Sequence, residues 1–419
     1  MQAIVLAAGK GTRMRSETPK VLHEIFGRPM LAYVLDALAA VGVRKPVLVV
    51  GAGADKVSRF AKGRVTPVMQ AVQKGTGHAV MMTRRVLERA AGDVLIWPGD
   101  MPLVKVETLK AFIREHKAQG CAVSVLSAVR SEPAGYGRIL RAGGAFCGIR
   151  EELDASEAER QITEVNTGIY LFRSRALFES LKQIRPENQK GEYYLTDTIE
   201  ILSRQDEKVE AFPLASSEEG QGVNSREDLA MATGKINQRV IRELQASGVT
   251  FMAPEQTFVA PGVKIGQDTV VYPWCYIEDD VRIGKGCQIG PFAKIRKGTV
   301  IGDGTAIGSF VEINRSRIGK NVAAKHLTYL GDAVVGDGTN IGAGTITANY
   351  DGKNKHVTRI GRGVLVGSDT VFVAPVSLGD GSRTGAGAVI KAGSRVRSGE
   401  TMVGVPARPV AGVKSGKKK

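Results

Sequence analysis

Hydrophobic positions follow three different rules in three successive stretches of the chain. From residue 3 to about 225, the continuous apolar runs "AIVLAA", "PVLVVG", "DVLIWPGD" and "AVSVLSAV" alternate with segments apolar at three- and four-residue steps. Such runs suit parallel strands buried on both faces, and the stepped segments "PMLAYVLDALAAVG", "HAVMMTRRVLERA" and "VETLKAFIREHKAQG" predict amphipathic helices. The alternation predicts an α/β domain over residues 1–225, a Rossmann-like, mostly parallel sheet with ligands outside the carboxyl ends of its strands. Residues 226–250 predict a helical linker arm, with Leu229, Ala232, Ile236, Val240 and Leu244 on one stripe.

After residue 250 the period changes to six. Aliphatic residues recur at Ile265, Ile283, Ile289, Ile295, Ile301 and Ile307, and after an offset at Ile318, Val335 and Ile341. Beyond "TANYDGKNKHVTR" they resume at Ile360, Val366, Leu378, Thr384, Ile390 and Val396. A six-residue period of this length predicts a solenoid over residues 251–406, a left-handed parallel β-helix in which three short strands make one triangular coil. The interruption between Asn349 and Arg359 predicts a loop thrown out from the prism. Residues 407–419, ending in "KSGKKK", predict a solvated basic tail.

The composition narrows the function classes. The chain has 419 residues, 43% hydrophobic and 24% charged, with aromatics at only 5%. No apolar run approaches the ~18–20 residues of a membrane helix, so no membrane partner is expected. Cys121, Cys147, Cys275 and Cys287 lack CxxC spacing and read as buried thiols in the cytoplasm. The net charge is +16, of which residues 251–419 carry +10 (23 Lys and Arg against 13 Asp and Glu). Aromatic platforms for nucleic acid are missing, so small polyanions such as nucleotides, sugar phosphates or coenzyme A are the expected partners.

Two constellations carry candidate chemistry. "LAAGKGTRM" follows the first strand, where Gly9 and Gly11 let backbone N–H groups approach phosphate while Lys10, Arg13 and Lys20 add charge. It is neither a Walker A motif nor a complete G-x-G-x-x-G. In the β-helix half, "HLTYLGD" sets His326 beside Tyr329, with Glu312 roughly one coil below, where a carboxylate would orient the imidazole as a base.

These motifs, together with "PKVLH", "GTGHA", "GYGRI", "NTGIY", "GEYYLTD", "GVNSR", "NIGAGT", "NYDGKNK" and "VGSDT", resemble a known family over nearly the whole chain. The N-terminal half resembles the sugar-1-phosphate nucleotidyltransferases. The whole chain resembles the bifunctional UDP-N-acetylglucosamine pyrophosphorylase/glucosamine-1-phosphate N-acetyltransferases. The resemblance implies a nucleotide site of Leu6, Ala7, Ala8, Gly9, Gly11, Gln70, Gly75 and Thr76, with Arg13 and Lys20 neutralising charge. It implies Mg²⁺ on Asp100 and Asn224, and N-acetylglucosamine-1-phosphate against Gly137, Glu151, Asn166, Thr167 and Asn224. For acetyl transfer it implies His326 as base with Glu312, and an acceptor site of Arg296, Asn314, Tyr329, Asn340 and Lys355. Acetyl-CoA would lie along Ala343, Asn349, Tyr350, Ser368 and Ala386, with the prisms packed as a homotrimer. The implied substrates are UTP, N-acetylglucosamine-1-phosphate, glucosamine-1-phosphate and acetyl-CoA.

Three positions depart from the family pattern. Pro98 replaces the tyrosine of "YGD", Asn314 replaces a phosphate-binding lysine, and Gly404 stands about where an arginine nears the coenzyme. An enzyme using only the first site, with the β-helix as scaffold or acting on another amino-sugar, is the alternative expectation. A non-enzymatic β-solenoid binding protein is the rival from another class.

Overall fold

The computed structural model describes residues 1–88 and 91–410. The chain divides into two compact units, Met1–Thr233 and Gly234–Lys419.

The first unit is built on a mixed sheet. Its elements are β1 (Gln2–Ala7), α1 (Met30–Ala40), β2 (Val47–Val50), β3 (Thr66–Met69), α2 (Thr76–Met81), β4 (Asp93–Pro98), α3 (Val106–Gln119) and β5 (Val123–Val129). They continue with β6 (Arg138–Ala142), β7 (Ala145–Arg150), β8 (Glu164–Arg173), α4 (Ser174–Leu181), α5 (Asp197–Arg204) and β9 (Val209–Pro213). The strand order is β9-β5-β8-β4-β1-β2-β3, with the β6–β7 hairpin attached to β8. β8 runs antiparallel to both neighbours and the other pairs along that path are parallel. Alternate residues of β1 enter opposite cores: Ala3, Val5 and Ala7 pack on one face, Ile4 and Ala8 on the other. Burial on both faces is why these strands read as unbroken apolar runs. From β1 the chain adds β2 and β3 on one side, then returns to place β4 on the other. The crevice at the carboxyl ends of β1 and β4 is therefore a topological switch point.

Two local expectations change. "HAVMMTRRVLERA" does not form one helix: it splits into Thr76–Met81 and a short turn of helix at Arg84–Leu87, with residues 89–90 outside the described set. At the break the buried Thr83 hydroxyl donates to the Val80 carbonyl (2.7 Å), offering the backbone a local partner in place of the helical ladder. Cys121, Cys275 and Cys287 are buried free thiols as expected, but Cys147 is half-exposed. Burial pushes the Cys275 thiol up to about 11.

The predicted arm is the helix α6 (Arg226–Ala246), and the division between units falls inside it. Ala232, Ile236 and Leu244 are buried as the stripe required, with Ile241 rather than Val240 completing it.

In the second unit every position of the six-residue series is buried. Three sheets of two- to four-residue parallel strands stack coil upon coil, giving the left-handed parallel β-helix of hexapeptide repeats. Register steps are 18 residues from Val270 to Gln288 to Ala306, 17 to Ala323 and Asn340, and 25 to Leu365. The long step holds the expected loop. There the Asp351 carboxylate accepts from the backbone N–H groups of Lys353 (2.8 Å) and Asn354 (2.6 Å) and from His356 Nε2 (2.7 Å). The predicted tail begins in a paired segment. Arg408–Pro409 pairs antiparallel with Met402–Val403, and residues 411–419 lie outside the described residues.

Candidate active sites

At the switch point lies a cavity of about 310 Å³. Its lining includes Leu6, Ala7, Ala8, Gly9, Lys20, Gln70, Gly75, Thr76 and Asp100, nine of the residues singled out from the sequence. Gly11 and Arg13 do not line it. Gly11 instead lets the loop close on Lys20: its φ is +62°, and an added Cβ would stand 2.9 Å from the Lys20 Cβ. Lys20 Nζ forms an ion pair with the Asp100 carboxylate and donates to Asn224 Oδ1 at 3.0 Å. Two oxygens brought from distant chain positions thus converge on one cation. Gly75 has φ +103°, and a Cβ there would sit 2.5 Å from the Tyr193 carbonyl oxygen, so only glycine fits the turn that starts α2. The buried Gln70 amide donates to the Gly75 carbonyl (3.2 Å) and to His78 Nδ1 (3.0 Å). Burial, with Lys74 nearby, holds the His78 pKa below its usual value, which suits this acceptor role.

Gln73 and Glu192 also line the cavity. Sequence reasoning missed both, although Glu192 lies within the quoted motif "GEYYLTD"; a glutamate in a loop carries no spacing signal of its own.

Pro98 ends β4 without breaking the sheet. Gly99 N–H donates to Leu6 O (2.8 Å), so the nitrogen of residue 98 faces β8. Pairing of β8 with β4 ends at Tyr170↔Ile96, and the β8–β5 register shifts between Asn166 and Tyr170. The bulge removes the acceptor that Pro98 could not have used.

Gly137, Glu151, Asn166 and Thr167 gather around that bulge rather than in the cavity lining. Asn166 N–H donates to the Gly137 carbonyl (2.8 Å), and an added Cβ on Gly168 would stand 3.2 Å from Pro98. The Asn166 amide donates to Tyr170 Oη (2.7 Å), while the Thr167 hydroxyl is committed to the Leu126 carbonyl (2.7 Å). Burial raises the Glu151 pKa, opposed by the hydrogen bond from the Thr196 hydroxyl (3.1 Å).

The second constellation lies on one edge and one face of the β-helix. His326 ends the strand Ala323–His326 and is exposed. Extending the strand registers Ala324↔Ile341, Ile341↔Val366 and Leu365↔Arg383 places His326, Ala343, Ser368 and Ala386 in successive coils along one edge. The backbone confirms the row: Asp369 N–H donates to Ala343 O (2.7 Å) and Gly387 N–H to Ser368 O (2.8 Å). On the adjoining sheet Glu312 pairs in register with Tyr329, and Asn314 with Gly331.

The expected partnership of Glu312 with His326 is not formed within the chain. His326 is in register with Ser309, on a different sheet from Glu312. Glu312 Oε1 accepts from Arg296 Nη1 at 3.1 Å, which joins the proposed phosphate ligand to the proposed orienting carboxylate. Among the described residues the imidazole has no hydrogen-bond partner.

Arg315 cannot stand in for the missing lysine. It donates twice to the Asp332 carboxylate (2.8 and 2.7 Å) and once to Asn314 Oδ1 (3.2 Å). Asn349 also donates to Asp332. Burial would raise the Asp332 pKa, but these bonds outweigh it and the net shift is downward. Tyr329 Oη and Asn349 crowd round Gly331, where an added Cβ would meet the hydroxyl at 2.5 Å. Lys355 and Tyr350 are exposed on the Asp351-held loop, and Asn340 is exposed one sheet away. Gly404 has φ +88°.

Sequence comparisons match this two-part layout. A MobA-like NTP transferase domain matches residues 3–200, and the bacterial transferase hexapeptide (six repeats) matches residues 262–297, 280–315 and 358–392. The bifunctional protein GlmU of Pelotomaculum thermopropionicum is 45% identical over 410 residues, covering 90% of each chain. The chain belongs to the GlmU family. GlmU proteins of Syntrophotalea carbinolica (44% identical, 93% and 92% covered) and Carboxydothermus hydrogenoformans (43%, 93% and 95%) are similarly close. Membership in the GlmU family makes the chain an enzyme with uridylyltransferase and acetyltransferase activities. The two constellations fall one in each unit, with His326 and Tyr329 lying between the hexapeptide matches at residues 280–315 and 358–392. Among the described residues no helix is long and apolar enough to cross a membrane.

Proposed function

We propose that the C-terminal unit acetylates glucosamine-1-phosphate from acetyl-CoA, and that the N-terminal unit couples the product to UTP, giving UDP-N-acetylglucosamine and pyrophosphate. The observation that carries the reading is the convergence of Asp100 and Asn224 on Lys20 beside a cavity walled by a glycine-rich loop. The donor set fits Mg²⁺: one carboxylate and one amide oxygen leave most ligand positions to water and phosphate oxygens. Bound there, the ion would neutralise triphosphate charge. Lys20 and Arg13 supply further positive charge as the sugar-phosphate oxygen attacks the α-phosphorus and pyrophosphate leaves. The Gly75 turn and Gln70 hold the base, and the bulge at Asn166 presents the sugar side.

In the second unit the His326 imidazole takes the proton from the glucosamine amine as nitrogen attacks the thioester carbonyl and the coenzyme thiolate leaves. The row Ala343, Ser368, Ala386 offers the pantetheine arm a track that ends at the base. Arg296 and Lys355 receive the acceptor phosphate, with Tyr329, Asn340, Asn349 and Tyr350 around the sugar and thioester. Glu312 joins the base through the bound acceptor or a neighbouring copy. An imidazole without a hydrogen-bond partner among the described residues, beside an exposed loop, fits completion of this site within a homotrimer. Free thiols and these substrates suit the cytoplasm.

Two assays on the purified protein test the reading, one measuring pyrophosphate from UTP with N-acetylglucosamine-1-phosphate, the other free thiol from acetyl-CoA with glucosamine-1-phosphate. Activity in both is expected. The commitment of Arg315 to Asp332 favours one alternative, a first-site enzyme with an altered acetyl acceptor. Pyrophosphate release without thiol release would establish it.

A further inference from the structure

A second, larger cavity of about 550 Å³ lies behind the nucleotide cavity, on the far side of α2. Its apolar floor is Met81, Phe178, Leu181 and Ile184, and Lys74, Arg84 and Lys182 stand at its rim. Among the described residues no carboxylate lines it. Arg84 is held by Glu88 (2.9 Å from Nε), and Lys182 by Glu179 (2.7 Å). Such exposed pairs are worth about 0–1 kcal/mol, so an incoming dianion displaces them cheaply. Among the described residues the Lys74 ammonium has no partner.

One layer of residues separates the two cavities. Glu192 lines the first and Tyr193 the second; Thr76 lines the first and His78 the second. The layer is tightly tied: Tyr193 N–H donates to Lys74 O (2.8 Å), Gly77 N–H to Tyr193 O (2.8 Å), and Leu195 N–H to Thr76 Oγ1 (3.1 Å). His78, which faces the second cavity, accepts from the Gln70 amide that lines the first. A ligand that shifts His78 or Tyr193 must therefore shift Gln70 or Gly75.

We propose that this cavity is an effector site for an organic phosphate with a flat apolar body, coupled to the nucleotide site through the shared wall. The volume lies within the ~300–1,000 Å³ of small-molecule sites, and an apolar floor with a cationic rim is complementary to such an amphipathic anion. The coupling rests on the nucleotide reading of the first cavity; the binding does not. Because coupling is reciprocal, UTP and the effector should change each other's affinity by the same factor.

The test uses 1-naphthyl phosphate as a fluorescent probe on the full-length protein, titrated with and without saturating UTP. Binding of one probe per chain is expected to persist with UTP present, while the probe changes the KM for UTP in the uridyl assay. Lys182→Glu should weaken probe binding by about tenfold or more while leaving uridyl transfer without probe unchanged. Met81→Trp, which fills the floor, should abolish binding, with circular dichroism checking the fold of both variants. Competitive displacement of the probe by UTP, or equal binding to wild type and Lys182→Glu, would overturn the site. Binding that leaves the KM for UTP unmoved would overturn the coupling. The KM measured without probe tests the nucleotide reading separately.

Discussion

At the residue scale, the most informative position is Asn314. Its side chain is buried and shares Arg315 with Asp332, so this position holds an amide where the family pattern has an ammonium. A charge-assisted phosphate contact is worth about 1.5–3 kcal/mol. Asn314→Lys is therefore expected to lower the KM for glucosamine-1-phosphate roughly 10-fold or more with kcat little changed, because uniform binding is restored. An unmoved KM in the thiol-release assay would show that the acceptor phosphate does not dock beside Arg296. Asp197 gives a pH prediction in the first unit. Burial, then the charges of Glu151 and Glu200, push its carboxyl up to about 6. A carboxyl raised in the folded state above its unfolded value of about 3.9 favours folding while protonated. That stability is lost as pH rises through the folded value. Asp197→Asn should then raise the melting temperature of the first unit at pH 7–8, with the gain fading below about pH 4. A calorimetric scan across that range checks both sign and window.

At the element scale, one corner of the β-helix breaks a local rule and compensates for it. Trp274, Phe292, Phe310 and Leu327 occupy equivalent corners with φ of +58°, +57°, +56° and +48°, where large L-residues are rare. Later corners on the same edge carry Gly344, Asp369 and Gly387, also at positive φ. In the early coils the rings stack along the edge, Trp274 on Phe292 at 4.7 Å and Phe292 on Phe310 at 5.0 Å. Each aromatic pair contributes about 0.5–1.5 kcal/mol beyond its buried area. Phe292→Ala loses two such pairs yet keeps the backbone strain, so it should cost about 1–3 kcal/mol. Phe292→Gly loses the same pairs but relieves the strain and should cost less. Urea denaturation of the two variants decides the order; a more stable alanine variant would refute the account. The change from bulky to small corners occurs immediately above His326, where the row of Ala343, Ser368 and Ala386 begins.

At the scale of the whole molecule, the proposed chemistry is partitioned between the two units. Asp100→Ala is expected to abolish uridyl transfer while leaving thiol release intact. His326→Ala should do the reverse, losing about 10²–10⁴-fold in acetyl transfer, the usual worth of a general base. Loss of both activities in either folded variant would sink the two-site scheme. The charge excess is partitioned as well. Lys264, Arg282, Arg317, Arg359 and Arg395 stand outward in one register row of a single sheet, all exposed and without an ion-pair partner among the described residues. Only Lys264 and Arg282 are direct neighbours in that row, with Val300, Val334 and Ser377 between the others. Like charges at these spacings still repel, and raising salt from about 0.01 to 0.15 M shortens the screening length from about 30 to 8 Å. The melting temperature of the β-helix should therefore rise with added NaCl, and a fall would point to stabilising pairs instead.

Periodicity alone determined the two architectures, because burial repeats with the geometry of each element. Unbroken apolar runs demanded strands covered on both faces, and a six-residue period demanded a coil with one inward side chain per short strand. Motif spacing likewise marked most of the first cavity's lining, since Leu6 to Gly9 follow directly from a strand end. Contacts between distant positions were decided only by tertiary structure. The pairing of Lys20 with both Asp100 and Asn224 joins three separate segments, and no local pattern encodes which oxygen meets which ammonium. Glu312 shows the limit most clearly. Counting residues put it roughly one coil below His326, but coil steps of 17, 18 and 25 residues and the turn between sheets decide which side chains meet. Those steps set Glu312 beside Tyr329 and within reach of Arg296, because a corner redirects a side chain onto another face while sequence distance registers only the climb.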